Sequence, residues 1–285
     1  MTTSLHHPIN IERYPITEPG SPAWLAEVAR ARAELSAVGC RVLPDFVRAD
    51  LLADLQQEGA GIAPLAYYDE ETVNAYNIDV GAPLPPEHPG RITMRRGNAF
   101  VARDRIPADA IIHRLYTNPL FQQFVAACFG LPRFYELADP LSGLVLNVVA
   151  PGKSHPWHFD VNEFTVSMLT QAPVAGGEFQ YCPNIRSAEN ENFADVRSVL
   201  EGEGDRLIRR LELRPGDLQL FQGRYALHQV STVRGDRARH TAIFAYSERP
   251  GVLGSVARTR QLFGRVLPEH LAAQARAVRV DELLD

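Results

Sequence analysis

Apolar positions recur at helical spacing over PAWLAEVARARAELSAV, residues 22–38. Ser21 stands where an N-cap belongs, Pro22 at the first helical position and Gly39 just past the end, so the pattern predicts a helix over 22–38. RVLPDF (41–46) reads as a short strand and RADLLADLQQE (48–58) as a second amphipathic helix. Residues 107–130 read as helical again, as does the tail from Arg258 to Leu284. After Pro140 the apolar runs turn short and β-rich: GLVLNVVA, FTVSMLT, GGEFQYC, RLIRRLEL, DLQLFQG, YALHQVSTV and RHTAIFAYS. Turn signals at Pro151-Gly152, Gly176-Gly177, Pro215-Gly216 and Gly235-Asp236 separate most of them, and a polar insertion around 184–205 interrupts the series. Helices first and strands later predict an α+β class with a jelly-roll core over 140–250, not an alternating βαβ fold. Two stretches lack a period. Residues 1–20 read as a surface arm. Residues 60–92, rich in Pro, Gly, Tyr and acidic side chains, read as a lid.

Composition adds exclusions. The 285 residues fit one large domain. A formal net charge of −5 gives no basic footprint for nucleic acid or an anionic membrane surface. Cys40, Cys128 and Cys182 are three and widely separated, which suits a reducing compartment better than a disulfide framework. No apolar run approaches the length of a membrane span, and the N-terminus lacks the apolar core of a signal peptide. A cytoplasmic protein acting on a small molecule is the expectation. Its oligomeric state is left open.

The chemistry concentrates in HPWHFD, residues 155–160. On extended backbone His158 and Asp160 point to one face. A third metal ligand must come from elsewhere, and His228 in YALHQVSTV is the candidate. Two histidines and one carboxylate form the facial triad of non-haem Fe(II) oxygenases, whereas a closed structural zinc site takes four ligands. The alternative is a satisfied polar loop beside a buried histidine. Downstream, Arg239 opens a strand, with Thr241, Ile243 and Ala245 on its face. Inside a barrel Arg239 needs an anion, and a guanidinium matches a carboxylate such as the distal one of 2-oxoglutarate, with Thr241 adding a hydroxyl. A structural salt bridge is the alternative. Arg234 and Arg237 read as solvated turn residues.

The order strand–His158-Phe-Asp160–strands–His228–Arg239-His-Thr241 resembles the Fe(II)/2-oxoglutarate-dependent dioxygenases. HPWHFDVNEF, GGEFQYCPNIRS, RPGDLQLFQGRYALH and RTRQLFGRVLP are similar to the subgroup that hydroxylates or halogenates free amino acids, relatives of the radical lysine halogenases. The resemblance implies a double-stranded β-helix with supporting helices, Fe(II) as cofactor, and 2-oxoglutarate and O2 as cosubstrates. It implies hydroxylation of an unactivated C–H bond, with His158, Asp160 and His228 as catalytic metal ligands. Halogenases of that subgroup carry glycine in place of the ligand aspartate, so Asp160 points to a hydroxylase.

Further positions are candidates for cosubstrate and substrate. Asn147 either donates to 2-oxoglutarate or satisfies barrel backbone. His155, three residues before His158, is expected off the ligand face and at the pocket mouth. Trp157 packs beside the metal or forms a pocket wall. Arg95, or its neighbour Arg96, pairs with an amino-acid carboxylate unless it is a solvated turn residue. Asp139 meets a substrate ammonium or caps the turn before Pro140. Tyr67, Tyr68, Asp69 and Glu70 belong to the expected lid. Val161, Ile243 and Ala245 favour an apolar or small substrate side chain. The same iron chemistry giving desaturation or cyclisation is a rival. A cupin-type isomerase, a binding protein and a zinc hydrolase are more distant ones.

Overall fold

A computed structural model describes residues 7–162, 164–273 and 283. The first helix, α1 (Pro22–Val38), starts where Ser21 accepts a hydrogen bond from the Trp24 N–H and ends at Gly39 in the left-handed region. It is followed by α2 (Leu52–Ile62), α3 (Ile111–Tyr116) and α4 (Pro119–Cys128). Residues 107–130 thus split into two helices, because Asn118 caps the second and Pro119 cannot continue the first. The insertion after residue 184 holds α5 (Phe193–Leu200). The tail holds α6 (Val256–Phe263) and α7 (Pro268–Ala273), with Gly264 breaking the single expected helix. Most of the tail beyond 273 lies outside the described residues.

Six strands form the major sheet, in the order β1 (Cys40–Leu43), β12 (Leu218–Phe221), β8 (Thr165–Gln171), β15 (Arg239–Phe244), β6 (Leu144–Val149) and β4 (Asn98–Val101). Four form the minor sheet: β11 (Arg209–Leu211), β10 (Phe179–Cys182), β13 (Leu227–Val230) and β7 (His155–His158). A hairpin-like pair, β2 (Glu71–Asn74) with β3 (Thr93–Arg96), lies within and just after the expected lid. Short ladders join β9 (Ala175–Gly176) to β14 (Val233–Arg234) and β5 (Tyr135–Glu136) to β16 (Tyr246–Ser247). This is the α+β jelly roll expected from the order of helices and strands.

Alternation sorts the major sheet into two faces. Leu144, Leu146, Val166, Met168, Leu218, Leu220, Ala242 and Phe244 point outward and pack against Trp24, Val28, Leu55, Phe121 and Phe124 of the helices. The register pairs Arg239 with Val149, and Thr241 with both Asn147 and Leu169, so these share the opposite, inner face. Phe221 of the major sheet meets Phe179 and Tyr181 of the minor sheet, ring centroids 5.2 and 5.5 Å apart, which closes the roll at one end. Residues 1–6 of the expected surface arm lie outside the described residues, and the rest is corrected: Ile9 and Ile16 are fully buried and Tyr14 donates to the Pro44 carbonyl. Apolar side chains between prolines, not a helical period, anchor that segment. No described helix is long and apolar enough to cross a membrane.

Candidate metal and cosubstrate site

His158 ends β7 and His228 lies opposite it on β13. Asp160 follows two residues after His158, its N–H bonded to the Gly223 carbonyl at 3.1 Å. Asp160 Oδ1 stands 3.8 Å from His158 Nε2 and 3.5 Å from His228 Nε2. All three ligand atoms lie within 4.8 Å of one another, and among the described residues this is the one His/Cys/Asp/Glu group that could hold a metal ion.

Both rings are held in the tautomer a metal needs. His158 Nδ1 lies 2.8 Å from the Pro156 carbonyl and His228 Nδ1 2.9 Å from that of Ala226. A carbonyl only accepts, so each Nδ1 carries a proton and each ring turns its Nε2 toward Asp160. Burial, with His228 adding to it, pushes His158 down to about 3, so it stays neutral at physiological pH. Burial alone would raise the Asp160 carboxyl, but His228, His158 and the Thr165 hydroxyl together hold it well below the usual carboxylate range. Thr165 Oγ1 donates to Asp160 Oδ2 at 2.5 Å. A Cβ on Gly223 would stand only 1.9 Å from that same oxygen. Two imidazole Nε2 atoms converging on a clamped carboxylate suit a divalent cation.

Arg239 is the second feature. Its side chain is buried on the inner face and donates to Thr241 Oγ1. Burial lowers its pKa to about 10, and no described carboxylate pairs with it. A buried guanidinium without an anion fits a carboxylate-bearing ligand. Asn147 shares this face and accepts from Asn98 Nδ2 at 3.1 Å. Asn98 was not singled out from sequence; a polar side chain opening a fully buried strand was the available signal.

The other candidates divide. His155 is placed against expectation. β13 offers Val230 and His228 opposite His155 and His158, two steps against three, so β7 bulges. The bulge turns both histidines to one side, and their rings stack at 3.8 Å. Burial and the two neighbouring histidines push His155 well below its usual pKa. Trp157 packs behind the minor sheet with Ala75, Tyr76 and Leu227, not as a pocket wall. Arg95 is exposed and pairs with Glu70; its neighbour Arg96 is the buried one, because alternation along β3 turns the two apart. Asp139 does not face the triad. It is fully buried, accepts from the Leu141, Ser142 and Gly254 N–H groups and contacts His270 Nε2 at 3.1 Å, so it is not free for a substrate ammonium. Tyr67, Tyr68, Asp69 and Glu70 precede β2. Beyond it the chain is ordered against the site, with Phe159 N–H donating to the Ala75 carbonyl and Asn77 Nδ2 to that of Phe159. Sequence reading also missed Thr165, Gly223 and Arg258, which act through spatial neighbours and carry no local motif. Two surface hollows, one walled by Arg32, Cys128 and Tyr225 and one by Arg103, His113 and Glu136, include no triad residue.

A family model described as Halogenase D matches residues 88–259, more than half of the chain, spanning the triad, Arg239 and the first half of α6. The chain belongs to the Halogenase D family. No curated protein matches it. Among solved structures, the non-haem alpha ketoglutarate dependent epimerase SnoN from nogalamycin biosynthesis is 15% identical with a TM-score of 0.53, covering 78% of this chain and 83% of that one. AviO1 from Streptomyces viridochromogenes is 16% identical with a TM-score of 0.53, covering 79% and 96%. EctD from S. alaskensis, solved with 2-oxoglutarate and 5-hydroxyectoine, is 18% identical with a TM-score of 0.51, covering 85% and 82%. At these identities the likeness is one of fold. This member of the Halogenase D family has the fold of the 2-oxoglutarate–Fe(II) oxygenases.

Proposed function

We propose that the protein is an Fe(II)/2-oxoglutarate-dependent oxygenase that hydroxylates a small substrate, a free amino acid. The observation that carries this is the pairing of a convergent His158–Asp160–His228 triad with a buried Arg239 that has no carboxylate partner among the described residues. His158, Asp160 and His228 are the residues that would hold iron, and Arg239 with Thr241 the distal carboxylate of 2-oxoglutarate. Bound iron and 2-oxoglutarate supply the O2 activation needed to oxidise an unactivated C–H bond.

The chain's own contribution is placement. The Pro156 and Ala226 carbonyls fix both imidazoles as Nδ1–H tautomers. Thr165 orients Asp160, and Gly223 leaves room for its carboxylate. Asp160 fills the third protein position, which favours hydroxylation over halide transfer. Asn147, beside Thr241, is a further contact for the cosubstrate, and Arg96, in place of Arg95, for a substrate carboxylate. Residues 60–92 approach the site through Ala75, Tyr76 and Asn77, which contact Phe159 between the two ligands.

The test is aerobic incubation with Fe(II), 2-oxoglutarate and pooled amino acids, followed by mass spectrometry. Hydroxylation adds one oxygen atom to a substrate and releases succinate, whereas desaturation or cyclisation removes two hydrogens. Turnover supported by Zn(II) without O2, or insensitive to Arg239→Ala, overturns the reading.

A further inference from the structure

The substrate's chemical class is written in the wall beside the triad, and the inference below rests on the oxygenase reading. α6 lies against β4 and carries a polar pair toward the site. Arg258 Nη1 donates to Asn77 Oδ1 at 3.3 Å and to Gln261 Oε1. Gln261 Nε2 donates in turn to Glu71 Oε2 at 2.7 Å. Arg96 Nη2 donates to the Gln261 carbonyl at 3.3 Å and pairs with the same Glu71 oxygen at 3.1 Å. Gln261 and Glu71 therefore tie the two arginines together. The Arg96 side chain is only 4% exposed, and its Nε and Nη1 are buried without a partner.

Glu71 lies between Arg96 and Arg258, with Asp69 also near Arg96 and Asp160 of the triad near Arg258. Burial, with Arg96 adding to it, brings Arg258 down to about 10. A buried guanidinium with two donors unused calls for an anion.

The adjoining surface is apolar. The Phe100 ring stands edge-on to His155 at 6.4 Å. Phe100 packs with Val145, Leu141 and Phe263, and Ile243 and Leu262 flank them. Ile243 is half-buried on the inner face, whereas its outward neighbours Ala242 and Phe244 are closed off.

We propose that Arg258 and Arg96 grip the carboxylate of a substrate whose remaining chain is apolar and uncharged and lies against Phe100 and Ile243. Glu71 is the carboxylate placed to receive an α-ammonium. A dibasic substrate would bring a second cation to two guanidiniums and an apolar wall, which is costly to desolvate.

The test uses the full chain with Fe(II), 2-oxoglutarate and O2. Succinate and product mass are read for leucine, isoleucine and norleucine against lysine, ornithine and leucinamide. The apolar acids are expected to show kcat/KM at least about tenfold above the dibasic acids and above the amide, the loss that follows one missing charge-assisted partner. Arg258→Gln is expected to raise KM for the best acid by about tenfold or more, and Arg258→Lys to recover part of it. Melting by circular dichroism checks each variant; if Arg258→Gln fails to fold, the wild-type substrate panel decides. Succinate release that no apolar acid accelerates, a preference for lysine or ornithine, equal use of the amide, or an unchanged KM in folded Arg258→Gln overturns this inference and leaves the oxygenase reading standing. No succinate in any mixture overturns that reading and this inference together.

Discussion

The two faces of the major sheet are made by the same six strands and do opposite work. Outward, Leu146, Met168, Leu220 and Phe244 pack into one apolar cluster with the helices. Inward, Asn147, Ser167, Gln219, Arg239 and Thr241 sit one residue away on the same backbone, buried but polar. The outer face stabilises through burial. The inner face gives up part of that stability to hold dipoles and a cation in place. A substitution on one side should therefore be read in unfolding, and one on the other in ligand binding and turnover.

The largest expected contrast comes from His228→Ala. Turnover should become undetectable and Fe(II) binding, followed by titration, should be lost, while the melting temperature without metal changes little. Phe121→Ala, on the helices that cover the outer face, should cost about 3–5 kcal/mol in urea unfolding. Its folded fraction should keep wild-type KM for 2-oxoglutarate. A large KM change would break the separation of the faces.

The outer face also carries a pH term. Burial depresses His240 to about 4. Between the unfolded value near 6.5 and the folded value, the unfolded chain binds the extra proton. Stability should be flat above pH 6.5 and fall by up to about 3 kcal/mol as pH drops toward 4. Urea midpoints at pH 7, 5.5 and 4.5 (on the order of the window's edges and middle) measure it, and His240→Gln should flatten the slope.

Inward again, Arg239→Gln removes the one buried cation facing Thr241. KM for 2-oxoglutarate should rise by about 10–100-fold with little change in melting, the range for a lost charge-assisted hydrogen bond. The smallest effect is expected from Gly223→Ala, which pushes on Asp160. Fe(II) affinity should weaken by about tenfold, as for groups that orient a metal ligand. A wild-type affinity would show that the carboxylate is not clamped as its neighbours suggest.

Much of this was legible in the chain. Ser21 and Gly39 mark the first helix because capping is local chemistry. The strand series after Pro140 shows as short β-rich runs divided by Gly and Pro turn signals, which are local features and need no partner. His158 and Asp160 lie two apart on extended backbone, and Arg239 and Thr241 likewise, so each pair's common face could be read directly. Arg95 and Arg96 were not separable, because alternation says that they diverge without saying which one turns inward.

Only the tertiary structure decided the rest. Whether His155 joins His158 depended on a bulge against β13, a strand some seventy residues later, and no local rule reveals which strand it pairs with. Asp139 looked like a free acid until three backbone N–H groups and His270 enclosed it. Gly223, Thr165, Gln261 and Arg258 matter through neighbours distant in sequence. Periodicity, caps and ligand spacing are properties of adjacent residues, so the sequence alone determined the elements and the metal-binding residue types. Which faces meet, and which charges stay unpaired when they do, is a property of packing, and the folded chain alone determined it.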